Sequence, residues 1–145
     1  MNFFSITKNG LLAIILTVGG CSLVATSPYD SSADKAITKL HKQTAEFFVE
    51  ATKPADKPGC GYSHYLPFYQ NSKVAISSLL MRARSMADNS LTVSQLELLS
   101  SSYENLAQLH QLGCFTPAQV EELWVSFDAS FSAILKLELA KKYAR

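Results

Sequence analysis

Apolar residues in this 145-residue chain recur at intervals of three and four, and no stretch alternates convincingly at two. A period near 3.6 buries one stripe of a helix, whereas a half-buried strand needs a period of two. The pattern therefore predicts an all-α protein. A first helix is expected from about Ser32 to Ala51, with Ile37, Leu40, His41, Thr44, Phe47 and Phe48 on one stripe. Lys35, Lys39, Lys42 and Glu46 face away from it. Ser31 or Ser32 is placed to cap this helix, and Asp34 suits its positive end. A second helix starts near Leu66, tolerates Pro67 in its first turn, and stops at Asp88–Asn89. Its stripe runs through Phe68 and Tyr69, Ser72, Ala75 and Ile76, Leu79, Ala83 and Met86.

A third helix opens at Thr92 with Gln95 three residues on, the spacing of a capping box, and closes at Gly113. Leu96, Leu99, Tyr103, Leu106 and His110 line its inner face, and Leu98, Leu109 and Leu112 are expected to broaden it. The fourth opens at Thr116-Pro117-Ala118-Gln119, which combines an N-cap, a proline at the first position and a box glutamine. Its stripe holds Val120, Leu123 and Trp124, Phe127, Phe131, Ile134 and Leu135, while Lys141, Lys142 and Arg145 suit its negative end. Two short connections and one long one predict an antiparallel up-down four-helix bundle over residues 34–145. The run from Ala133 to Lys142 is similar to small helical bacterial proteins to which no activity is attached.

Ahead of the helices, Lys8 precedes Leu11-Leu12-Ala13-Ile14-Ile15-Leu16-Thr17-Val18. This apolar run is too short for a ~30 Å hydrocarbon layer, which takes about 20 apolar residues. Charge, apolar core and then small residues have the order of a secretory signal peptide. Val18-Gly19-Gly20-Cys21 resembles the lipobox of bacterial lipoproteins, with Val18 standing where that family most often has Leu. The resemblance implies that residues 1–20 are removed and that Cys21 is acylated on its sulfur and on its new N-terminus, with chains such as palmitate. Ser22, which is not Asp, resembles the outer-membrane sorting pattern of enteric-type lipoproteins. That implies a periplasm-facing, lipid-anchored position on the outer membrane of a Gram-negative host. Residues 21–33 carry Pro28 and no sustained period, and read as a lipidated tether. Twelve residues reach at most ~40 Å.

Acylation of Cys21 leaves Cys60 and Cys114. In an oxidising compartment two cysteines read first as one disulfide. The bundle topology agrees, because the long first connection and the turn before the fourth helix lie at the same, membrane-distal end. Closing a loop of that length contributes on the order of 4 kcal/mol in the chain-entropy model. A second arrangement stays open: Cys60-x-x-x-His64 and His110-x-x-x-Cys114 supply two sulfurs and two imidazoles, the donor set of a tetrahedral zinc site. Without metal, His64 reads as a loop residue, His110 as an edge of the core and His41 as core. Tyr62, Tyr65, Phe68 and Tyr69 crowd the same end. Such rings have the character of binding-surface anchors, which makes Tyr62, Tyr65 and Tyr69 candidate partner contacts. The same rings can instead cover the open end of the bundle.

Lys8 is lost with residues 1–20, so the remaining 125 residues carry 12 basic and 12 acidic side chains. That balance argues against a nucleic-acid partner, which calls for a basic footprint. The sequence holds no Gly-x-Ser-x-Gly, His-Glu-x-x-His, phosphate-cradling glycine loop, Cys-x-x-Cys-His or Glu-x-x-His. The expectation is therefore a non-catalytic, membrane-anchored lipoprotein without a cofactor, presenting a stapled bundle end to a periplasmic or envelope protein. A small-ligand or zinc-binding bundle is the alternative.

Overall fold

The first helix is started by Asp30, whose Oδ1 accepts the backbone N–H of Ser32 at 2.9 Å and of Ala33 at 3.2 Å. The expected caps, Ser31 and Ser32, are instead the first helical residues. The computed structural model describes residues 26–52 and 59–144. Residues 1–20, Cys21 and the prolines at 54 and 58 lie outside the described residues. Four helices follow: α1 (Ser31–Ala51), α2 (Leu66–Arg84), α3 (Ser90–Leu112) and α4 (Pro117–Tyr143). A 3₁₀ turn, Tyr62–Tyr65, leads into α2. Among the described residues there is no strand.

The ends of α2 and α4 follow their local chemistry. Pro67 sits in the first turn of α2, where its missing N–H costs nothing. Thr116 and Gln119 form the expected capping box: the threonine hydroxyl accepts the Gln119 N–H and the glutamine carbonyl accepts the Thr116 N–H. The start of α3 departs from expectation. The helix begins at Ser90, and Thr92 caps nothing because its side chain is buried against α4. Leu98 and Leu112 also depart, since both are exposed and do not widen the core.

α1 packs against α2 and α4, and α3 packs against the same two helices, so the four backbones stand at the corners of a square. Contacts between ends give the directions. Asp30, before α1, holds Arg82 near the end of α2. Phe47, late in α1, stacks on Phe68, early in α2. Phe48, late in α1, meets Trp124, early in α4. Thr92, early in α3, bonds Glu138, late in α4. Each of these pairs joins one helix's start to its neighbour's end, as in an antiparallel arrangement. The core between them holds Ile37, Leu40, Ile76, Leu96, Leu106 and Phe131, all 2 % exposed or less. Each such side chain stabilises the fold by about 1.5–3 kcal/mol relative to exposure. Across the centre, the hydroxyls of Thr44 and Tyr103 share a hydrogen bond.

Candidate functional site

The bundle has two closed ends, and the stapled one holds the residues that the sequence singles out. Cys60 precedes the 3₁₀ turn and Cys114 lies in the α3–α4 turn. Their sulfurs form a disulfide across 54 residues of sequence, with Cα atoms 5.4 Å apart. Phe115, next to Cys114, turns inward and stacks on His110 with ring centroids 4.4 Å apart. His110 is 1 % exposed, and both of its nitrogens are engaged. Nε2 lies 2.7 Å from the carbonyl oxygen of Cys60, which can only accept, so Nε2 carries the hydrogen. Nδ1 therefore accepts from the Tyr69 hydroxyl, 2.8 Å away. Burial holds the imidazole below its ordinary pKa and keeps it neutral, and burial pushes the Tyr69 phenol up. The histidine thus ties the stapled loop to α2 and α3 at one point.

The three tyrosines expected to meet a partner divide unequally. Tyr65 and Tyr69 are 5 % and 7 % exposed, so their rings are core. Tyr65 stands edge-on to Phe47, and Tyr69 is covered by Tyr62 at 5.0 Å. That removes both from the list of available contacts: the open end of a small bundle exposes apolar edges, and these rings fill it. Tyr62 remains half-buried on the rim of the α2–α3 groove, a depression of about 440 Å³ that also touches Leu66, Lys73 and Glu104.

The zinc arrangement is also set aside. Cys60 and Cys114 spend their sulfurs on each other, and His110 spends both nitrogens on Tyr69 and Cys60. His64 is exposed, edge-on to Tyr65 and beside Gly59, whose φ of +94° favours glycine. Among the described residues no cluster of three metal-binding side chains occurs. His41, expected in the core, is half-buried. Its Nε2 lies 2.9 Å from Asp128, and its ring is stacked on Trp124 and edge-on to Phe131.

The other end, the base, was not legible as a site. Lys141 and Glu138 are buried there as an ion pair on α4. Lys141 Nζ also donates to Asn89 Oδ1 at 2.6 Å and to Thr92 Oγ1 at 2.7 Å. Thr92 donates in turn to Glu138 Oε1, while Glu138 Oε2 is buried with no hydrogen-bond partner. Asn89 donates to the carbonyl of Ala83 and accepts from Ser27 at 2.8 Å. The Ser27 N–H reaches the carbonyl of Asp88 at 3.1 Å. Asp30 then takes the Arg82 guanidinium, which holds its carboxyl below the usual range. The segment read as a free tether is therefore seated on the bundle from Ser27 onward. One signal was present: Phe127, Phe131, Ile134, Glu138 and Lys141 continue a single i, i+4, i+7 stripe.

An apolar groove of about 410 Å³ opens between α1 and α4 near the stapled end. Phe48, Val49, Pro117, Val120 and Trp124 line it. Among the described residues no helix is long and apolar enough to cross a membrane.

No protein-family model, curated protein or solved structure matches this chain.

Proposed function

We propose that the protein is a non-catalytic, lipid-anchored lipoprotein of the bacterial envelope that offers its stapled end to a periplasmic or envelope protein. One observation carries the reading: the Cys60–Cys114 disulfide closes the end opposite the one on which Ser27 is seated. Disulfides persist in oxidising compartments, which agrees with export through a signal peptide ending at Cys21. A chain held at Cys21 and seated at Ser27 leaves the stapled end as the part furthest from the anchor. Near that end, the α1–α4 groove exposes Val49 and lies beside Trp124, the kind of apolar depression that binding anchors fill. Tyr62 supplies the rim of the neighbouring groove.

The anchoring half is tested by Cys21→Ala with fractionation and incorporation of labelled palmitate. Loss of label and release from membranes are expected, and unchanged membrane association contradicts the reading. The contact half is tested by photo-crosslinkers placed at Val49 and Tyr62 in intact cells. Capture of one protein from these positions and not from Lys136 supports it, and the reverse pattern refutes it. A second reading, a small apolar ligand in the α1–α4 groove, is favoured by the groove's volume, which falls in the range of ligand pockets. Such a ligand would shift Trp124 emission on titration.

A further inference from the structure

We propose that the base of the bundle is a lipid-contact surface, with the α2–α3 turn and the last turn of α4 resting on the headgroups of the membrane that holds Cys21. This inference rests on the proposed acylation of Cys21. Little chain separates the anchor from the fold. Ser27 is 2 % exposed and bonded through backbone and side chain to Asp88 and Asn89. Asp30 is 7 % exposed and clamped by Arg82. Tyr29, between them, donates to Asp34 at 2.6 Å and lies under the ammonium of Lys142. Nothing from Ser27 onward can pay out as slack without breaking these bonds.

Only six residue steps then link Cys21 to Ser27, and they reach roughly 20 Å at full extension, about half of what a tether ending at Ala33 allows. That keeps the base within roughly 20 Å of the anchor, while α4 alone is ~40 Å long and sets the stapled end a full bundle length away. The base also presents suitable side chains. Tyr143 is 76 % and Leu91 58 % exposed, one at the end of α4 and the other at the start of α3. The neighbouring Ala87, Ser90, Ala140 and Ala144 are exposed and uncharged. Of the base carboxylates, Asp30 is paired with Arg82 and Glu138 with Lys141, which leaves Asp34 and Asp88 to set against the exposed Lys35 and Lys142. A near-balanced charge with a tyrosine and a leucine suits shallow contact with zwitterionic headgroups rather than capture by anionic lipid.

The test uses the full acylated protein in phosphatidylcholine vesicles with bromines near the top of the acyl chains. Wild type reports Trp124, near the far end, and is expected to be unquenched. Tyr143→Trp and Leu91→Trp add an indole at exposed positions of the base. Their added emission should fall about twofold, as for an aromatic at headgroup depth. Lys136→Trp, two turns up the outer face of α4, should lose much less. Equal quenching at positions 136 and 143 would mean that the bundle lies on its side, and would overturn the proposal. Co-flotation without quenching at either base position overturns it alone. So does blue-shifted, unquenched emission that depends on protein density, which would place a second copy on the base. If the protein does not float with vesicles, the acylation reading fails and this inference falls with it.

Discussion

The two ends of the bundle solve the same problem with opposite chemistry. A four-helix bundle leaves apolar edges and unpaired helix termini at each end. The stapled end covers them with Phe47, Tyr62, Tyr65, Phe68, Tyr69 and Phe115, a disulfide and one neutral imidazole. The base closes with Lys141, Glu138, Thr92, Asn89 and Ser27, linked by directional hydrogen bonds. Ring packing tolerates small changes, because dispersion and burial depend weakly on angle. A buried polar set does not, because each group left unpaired carries its full desolvation cost. The base therefore fixes a unique seat for Ser27, while the staple ties the residues ahead of α2 to the α3–α4 turn.

Four changes can break or sharpen that contrast. The largest effect is expected from Lys141→Met, which strands the Glu138 carboxylate and should cost about 3–5 kcal/mol in denaturant unfolding. The double change Glu138→Leu, Lys141→Met should regain most of it. A single-variant loss under about 1 kcal/mol would mean that the base is not held by its ion pair. Next, Cys60→Ser and Cys114→Ser should each lower stability by about 2–4 kcal/mol, by equal amounts, because either one opens the same loop. Unequal losses would show that the cysteines act separately.

A smaller loss, about 1–3 kcal/mol, is expected from His110→Phe, which keeps a ring against Phe115 but removes the acceptor of the Tyr69 hydroxyl and the imidazole N–H that the Cys60 carbonyl accepts. Amide exchange should quicken around Cys60 and Tyr69 and stay unchanged around Asn89; a uniform change would contradict the separation of the two ends. The smallest effect is in pH. Burial depresses the His110 pKa in the folded state, so its contribution is present above the ordinary histidine value of about 6.5 and fades as pH falls below it. Asp30 is also depressed, by Arg82, and its contribution fades only below the ordinary carboxylate range near 4. Mild acid should therefore loosen the stapled end first. Exchange at the base that rises at higher pH than exchange near Cys60 would invert the comparison.

Much of the bundle could be read from spacing alone. The stripes from Ile37 to Phe48 and from Leu96 to His110 lie inward as their period requires, and the Thr116–Gln119 box forms. The two cysteines meet because an up-down order brings their loops together. Tyr65 and Tyr69 differ from that reading because an aromatic beside a loop carries the same signal whether it faces solvent or plugs a bundle end; only packing against Phe47 and His110 separates the two. Lys141 misled for a related reason. At the end of a helix a lysine complements the dipole, and only its place on the stripe of Phe127, Phe131, Ile134 and Glu138 marks it as turning back toward Asn89. Spacing does not single out Asp30 as the cap because Ser31 and Ser32 are adjacent and equally suited; its second role, holding Arg82 from 52 residues away, settles the position.

The proposed anchor at Cys21 and the staple at Cys60–Cys114 are tested together by the intact mass of the protein extracted from cell membranes. The expected species lacks residues 1–20, begins at Cys21 with the mass of a diacylglyceryl group and an added acyl chain, and is two hydrogens lighter than its reduced form. A chain without acyl mass, or one whose Cys60 and Cys114 react as free thiols before reduction, would contradict it.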